Sequence, residues 1–272
     1  MRAASRQACH SGKRLGFVPT MGALHEGHLS LVRAAREATD VVAASIFVNP
    51  TQFGPKEDLA KYPRSFERDC ELLDREGVEL LFAPSVEEMY PSGAVTWVVV
   101  EDLSDKLDGR SRPGHFRGVT TVVSKLFHIV EPDIAFFGQK DAAQAAIIRR
   151  MVRDLNLPVE VAVRPIVREP DGLAMSSRNA YLDPEQRKSA LVLHSSLTRV
   201  QELIDQGEVS ADALASHGRS EFAAELSVRL DYFEIVNPDT LEPIKDISNG
   251  GLIAVAAYIG STRLIDNLLI TR

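Results

Sequence analysis

An apolar tetrapeptide, Leu15-Gly16-Phe17-Val18, runs into Pro19-Thr20-Met21-Gly22-Ala23-Leu24-His25-Glu26-Gly27-His28, and an amphipathic stretch over 29–38 follows. The first piece reads as a buried strand and the last as a helix. A strand joined to a helix by a glycine-containing turn is the opening unit of a parallel α/β sheet. Gly22 and Gly27 let the backbone come close to a ligand, and the helix start offers free N–H groups and the positive end of the helix dipole to an anion. His25 and His28 can add donors to the same anion, an arrangement suited to a nucleoside triphosphate that loses its terminal two phosphates. The commoner fate of H-x-x-H on a helix is a solvated or packed face. As a zinc pair it lacks a third ligand and differs from the H-E-x-x-H spacing of zinc proteases. What favours the phosphate reading is position, at the first strand-to-helix crossing.

Short apolar runs alternate with amphipathic ones through the first two-thirds of the chain. Strands are expected over 15–19, 41–48, 80–83, 96–100, 134–137 and 159–165, and helices over 28–38, 65–76, 119–130 and 141–155. That alternation predicts a parallel sheet with helices on both faces, whose ligands sit at the carboxyl ends of the strands. The polar segments 19–28, 49–54 and 138–141 all fall at such ends. After Pro165 the pattern changes: a polar stretch over 168–179, helices expected over 184–206 and 211–226, then strands over 232–236, 252–258 and 263–270. Helices followed by strands indicate a smaller α+β domain, with the boundary near Arg168.

Composition excludes several classes. With 272 residues, 44% of them hydrophobic, the chain can bury a substantial core as one or two domains. No apolar run reaches the length of a membrane span, and the polar N-terminus lacks a signal-peptide core. A net charge of −7 argues against a broad nucleic-acid surface while leaving room for a small basic pocket. Cys9 and Cys70 form no ligand cluster, and a reduced cytoplasmic setting is the simplest account.

Three further segments bear chemistry. In Phe137-Gly138-Gln139-Lys140-Asp141 a strand ends and a helix opens; Asp141 is either an ordinary N-cap or a ribose acceptor, Lys140 surface charge or a phosphate ligand. Met175-Ser176-Ser177-Arg178 is either a polar turn or a phosphate clamp at the domain junction, able to close over a bound nucleotide. Arg110, Arg112, His115 and Arg117 gather around Pro113-Gly114, as a solvated basic loop or an anion site. Asn49 and Gln52, after a buried strand, and Gln144, one turn into the helix beyond Asp141, offer amides for a small polar substrate.

Taken together, G-F-V-P-T-M-G-A-L-H-E-G-H, V-N-P-T-Q-F-G, Y-P-R, R-P-G-H-F-R-G-V, F-F-G-Q-K-D and M-S-S-R-N, in that order, resemble the pantoate–β-alanine ligase family over nearly the whole chain. The wider group is the His-x-x-His nucleotidyltransferases, which include class I aminoacyl-tRNA synthetases; M-S-S-R looks like the counterpart of their mobile K-M-S-K-S loop. The resemblance implies a Rossmann-like nucleotide- and pantoate-binding catalytic domain over 1–167 and a smaller α+β lid domain over 168–272. It also implies a cytoplasmic homodimer that makes pantothenate through a pantoyl adenylate, with ATP as substrate and Mg2+ carried on it. By motif, His25, His28 and Lys140 act at the reacting phosphates, and Ser176, Ser177 and Arg178 hold them with Lys140. Asp141 and the Gly138 backbone bind ribose, Met21 and Met175 line the nucleotide pocket, and Gln52 and Gln144 hold pantoate. Asn49, Tyr62 and Arg112 lie near the phosphates or the path of the second substrate. No protein metal ligand is implied.

Family members usually begin with another strand and helix before the G-F-V-P-T-M-G segment. Here 3–13 reads as the tail of that helix, so any consequence is expected in folding stability before chemistry. Two rivals use the same turn. A nucleotidyltransferase that leaves AMP on its product needs no amine acceptor, and a nucleotide-binding module without catalysis needs no lysine, paired histidines and serine–arginine loop together. The acidic charge and the lack of a visible anticodon-binding extension disfavour a tRNA-acting synthetase.

Overall fold

The computed structural model describes residues 1–55 and 57–271. Helix α1 (Arg2–His10) leads into strand β1 (Leu15–Thr20), the middle of a five-stranded parallel sheet with β2 (Val41–Ile46), β3 (Leu80–Phe82), β4 (Ile134–Gly138) and β5 (Glu160–Arg164) in the order β3-β2-β1-β4-β5. Leu15 pairs with Val41 on one side and Gly16 with Ile134 on the other. Helices α2 (Glu26–Ala38) and α3 (Phe66–Arg75) cover one face. Short helices α4 (Val86–Met89) and α5 (Asp108–Ser111) lie in the connection to α6 (His115–Val130), which covers the other face with α7 (Ala142–Asp154).

Alternate residues of each strand feed the two faces. Val18, Val42 and Phe136 pack with Leu31, Val32 and Leu73, whereas Phe17, Ala43 and Phe137 pack with Val123, Phe127 and Ile147. With both faces covered, these strands read as continuous apolar runs rather than as an alternation. At Gly16 a Cβ would stand 2.6 Å from the Thr39 hydroxyl, so only glycine lets α2 lie this close to β1. The chain steps outward from β1 to β2 and β3, then returns to place β4 on the other side of β1. The loops after β1 and β4 therefore splay apart over a crevice at the strands' carboxyl ends, where ligands of open α/β sheets bind.

Beyond β5 come α8 (Pro184–Ser189), α9 (Val192–Asp205), α10 (Ala211–Phe222) and an antiparallel sheet of β6 (Val228–Val236), β7 (Gly251–Ile259) and β8 (Thr262–Ile270) in the order β6-β7-β8. Strand β7 is buried on both faces. Its Ile253, Val255, Ala257 and Ile259 pack with α9 and α10, while Leu252, Ala254 and Ala256 join the core beneath α6 and α7.

The expected fold class holds, with local corrections. Residues 96–100 pair with no strand among the described residues; the Val98 backbone is held instead by the Thr120 and Thr121 hydroxyls of α6. The helix expected over 184–206 is two helices broken at Ala190-Leu191. Helix α6 starts at His115 rather than 119, β6 starts at Val228 rather than 232, and α2 starts at Glu26, so His28 lies in its first turn. No helix among the described residues is long and apolar enough to cross a membrane.

Candidate active site

The crevice deepens into a cavity of about 230 Å³. Its lining includes every residue carried over from the family motifs: Met21, His25, His28, Asn49, Gln52, Tyr62, Arg112, Gly138, Lys140, Asp141, Gln144, Met175, Ser176, Ser177 and Arg178. Of the basic segment around Pro113-Gly114, only Arg112 and His115 line it; Arg110 pairs with Glu234 and Arg117 lies over the Trp97 ring. Segments separated by more than a hundred residues meet here because β1, β2 and β4 end on the same edge.

The turn after β1 is fixed from two directions. Gly22 takes φ +85° and Ala23 φ +51°, and the buried Asp69 carboxylate of α3 accepts from the Ala23 and Leu24 N–H groups at 2.8 and 2.9 Å. The two histidines then cap α2 reciprocally. Nδ1 of His25 accepts from the Gly27 N–H at 3.2 Å, and Nδ1 of His28 accepts from the His25 N–H at 3.3 Å. This is the geometry of a capping box, with imidazoles in place of the usual hydroxyl and carboxylate. Each Nδ1 is an acceptor, so the proton resides on Nε2 and leaves both rings as neutral donors. Their centroids are 4.1 Å apart. Burial, then Lys140, pushes His25 down to about 4; burial, then His25, pushes His28 down to about 3.

After β4, Lys140 lies 3.5 Å from the Asp141 carboxylate. Asp141 stands at the N-cap of α7 but makes no capping hydrogen bond, so its carboxylate is not tied up there. Burial raises the Asp141 carboxyl, and Lys140, with Arg178 and His28 farther off, outweighs it and holds the group below the usual carboxylate range. The serine–arginine segment closes a third side. Arg178 forks onto Asp58 with two bonds of 3.0 Å, and the Ser177 hydroxyl lies 3.3 Å from that of Tyr62.

The amide half is built on a 3-10 turn, Pro50–Gln52. Asn49 is buried and spent on the scaffold: its amide donates to Gln52 Oε1 and to the Gly118 carbonyl, both at 3.1 Å, and its carbonyl accepts from Thr51 and Tyr90. Gln52 Nε2 lies 2.9 Å from the Met21 sulfur. Nδ1 of His115 donates to the Gln52 carbonyl at 2.8 Å, which makes its Nε2 an acceptor for Arg112 at 3.1 Å; burial, then Arg112, pushes this imidazole down to about 4. Arg112 is itself clamped by Glu57 at 2.9 and 2.5 Å. Sequence reasoning passed over Glu57, Asp58, Asp69 and the buried role of His115, since an acid near a helix start or in a loop carries no mark of its distant partner.

Two expectations arise here. A Cβ on Gly118 would stand 2.4 Å from the Thr51 carbonyl oxygen and 2.7 Å from the Gln52 Cα, both backbone atoms that cannot swing aside. Gly118→Ala should push the 50–52 turn into the cavity and raise about tenfold or more the KM of a substrate held by that turn, since a small misplacement of a positioned group costs up to about a hundredfold. An unchanged KM in steady-state assays would detach the turn from substrate binding. The second concerns acid. Below pH 6.5 the unfolded chain protonates His25, His28 and His115, whereas the folded chain keeps them neutral down to about 4 and 3. The unfolded state then binds more protons, so stability falls as pH drops from 6.5 toward 4.5, by about 1.4 kcal/mol per pH unit for each imidazole held neutral. Denaturant titration across that range checks this; a flat profile would mean the rings are charged in the folded protein.

A doubly covered parallel sheet with donors gathered at its switch point defines a Rossmann-like nucleotide-binding protein. The chain belongs to the pantoate-beta-alanine ligase family, whose model matches residues 1–269. It is 64% identical over 270 residues to the pantothenate synthetase of Koribacter versatilis, covering 99% of this chain and 93% of that one. The pantothenate synthetase structure from Thermus thermophilus superposes with a TM-score of 0.92 at 52% identity, covering 95% of this chain and 94% of that one. A Francisella tularensis pantoate-beta-alanine ligase, complexed with beta-gamma ATP and beta-alanine, superposes with a TM-score of 0.76 at 36% identity, covering 95% and 90%.

Proposed function

We propose that this chain is an ATP-dependent pantoate–β-alanine ligase whose chemistry takes place in the cavity between β1 and β4. One observation carries the reading: the donors His25, His28, Lys140 and Arg178 and the amides Gln52 and Gln144 line a single cavity. A triphosphate needs the first and a small hydroxy acid the second. A pantoate carboxylate oxygen attacks the α-phosphorus, the bond to the bridging oxygen breaks, and pyrophosphate leaves with that electron pair. The β-alanine amine then attacks the acyl carbon of the adenylate, loses a proton, and AMP departs. No covalent enzyme intermediate is needed, so the protein contributes positioning and stabilisation of charge.

In this reading the Nε2–H groups of His25 and His28 and the Lys140 ammonium stabilise charge developing at the phosphates. Ser176, Ser177 and Arg178 hold the leaving pyrophosphate, and Met21 and Met175 wall the nucleotide. Asp141 and the Gly138 backbone take the ribose, Gln52 and Gln144 the pantoate oxygens. Asn49 serves by holding Gln52, and Arg112 with Tyr62 borders the approach of β-alanine. Magnesium arrives as the counterion of ATP. We divide the chain near Arg168 into the catalytic domain and the lid. Its free thiols, Cys9 and Cys70, suit a reduced cytoplasm.

We also read the chain as a homodimer. Val95, Trp97 and Val99 are 83%, 41% and 53% exposed along a segment that joins neither sheet, an apolar stretch suited to a second copy. Val99→Lys should shift sedimentation toward monomer; a wild-type protein already monomeric at tens of micromolar would reject the dimer. The activity itself is tested by AMP release from Mg-ATP with pantoate and β-alanine, each omitted in turn. AMP only with all three, and pyrophosphate exchange that needs pantoate but not β-alanine, is the expected result. AMP release without β-alanine would instead favour a nucleotidyltransferase.

A further inference from the structure

Strand β8 carries a buried polar pair, Asp266 and Asn267, exposed by only 2% and 4%, with no place in the chemistry above. Neighbours in a strand point to opposite faces, and these two reach opposite segments of the nucleotide wall. The Asn267 amide donates to the carbonyls of Gln139 and Lys140 at 2.9 and 3.0 Å and accepts from the Gln139 side chain at 3.0 Å. Both of its N–H groups are thus used to fix the turn that presents Lys140 and Asp141. Asp266 takes the Arg168 fork at 2.6 and 3.0 Å and also accepts from the Asn267 N–H. Arg168 in turn donates to the Gly172 carbonyl and bridges to Ala174, closing the hairpin that runs directly into Met175 and Ser176.

We propose that Asp266 and Asn267 are positioning residues that set the two phosphate-side segments of the site, the 139–141 turn and the 175–178 loop, in register with each other from a single strand. Neither touches substrate. The inference rests on the reading of the cavity as an ATP site, and it makes β8 the shared anchor of groups that approach one ligand from two sides. A satisfied buried network of this kind holds its members in one geometry, and removing a member leaves the others to rearrange.

The test is calorimetric titration of the intact protein with Mg-ATP and, separately, with pantoate. Asn267→Ala should raise the Kd for ATP roughly tenfold, the consequence of about 1.4 kcal/mol of lost positioning, and leave the Kd for pantoate within twofold. Asp266→Asn should weaken ATP and speed amide exchange over 175–178. Leu264→Ala, on the same strand but packed among α9 and α10, lowers thermal stability without changing either Kd. Should Asn267→Ala fail to fold, Gln139→Ala removes one link of the same network from its accessible side and should weaken ATP in the same direction. Equal ATP affinity in the folded variants, or parallel losses for ATP and pantoate that Leu264→Ala reproduces, would overturn the proposal. Direct binding separates this from the ligase reading, which fails only if wild-type protein forms no pantothenate.

Discussion

His28→Ala should lower pantoate-dependent pyrophosphate exchange by about a hundredfold or more while leaving a folded protein, since removal of one donor aimed at developing charge typically costs about 3–4 kcal/mol of transition-state stabilisation. The structural loss is smaller. The His25 N–H loses its acceptor at 3.3 Å, a cap contribution of about 1 kcal/mol. The two roles can be separated because glutamate is the ordinary capping-box residue at this position. His28→Glu should restore the cap and the melting temperature, yet turn over no faster than His28→Ala, since it sets a negative charge against the phosphates. A folded His28→Ala enzyme with undiminished exchange would remove the ring from the mechanism and leave it a cap alone.

Lys140→Met should be nearly as damaging to turnover, about a hundredfold, and nearly silent in stability. The Lys140 side chain is 21% exposed and that of Asp141 49%, so their 3.5 Å contact is worth at most about 1 kcal/mol to the fold. Methionine keeps the apolar stem and removes only the charge. Lys140 also helps depress His25 and Asp141. The variant should therefore raise both groups' affinity for protons, and NMR titration of His25 should move up. Loss of exchange with no movement of His25 would mean that Lys140 acts farther from the imidazoles than this geometry has it; full activity would exclude it from the phosphate wall.

The parallel sheet was legible because its strands are buried on both faces and their apolar runs are interrupted by polar turns. Residues 96–100 misled for a related reason: an apolar, β-branched run suits a strand, but a strand also needs a partner strand, and here the Val98 backbone bonds the Thr120 and Thr121 hydroxyls instead. The break at Ala190-Leu191 carries no glycine or proline, and Gly118 hid the true start of α6 by weakening its first turns. Among cavity residues, 21–28, 49–52 and 138–144 hold donors and acceptors just after strands, where position alone suggests chemistry. Glu57, Asp58, Asp69, Asp266 and Asn267 take their meaning from partners 55, 120, 45, 98 and 128 positions away. No local pattern carries such distances.

The double burial of β7 has a practical consequence. Its odd-numbered side chains are roofed by α9 and α10, while Leu252, Ala254 and Ala256 form part of the floor under α6 and α7. A gene cut at residue 168 would give two products, each with a raw oily strip where the other had been, and each prone to clump. A lid movement that parted the two sheets would open this shared core to water, so the hairpin and its serine–arginine tip are the part of the lid whose swing costs the least apolar exposure.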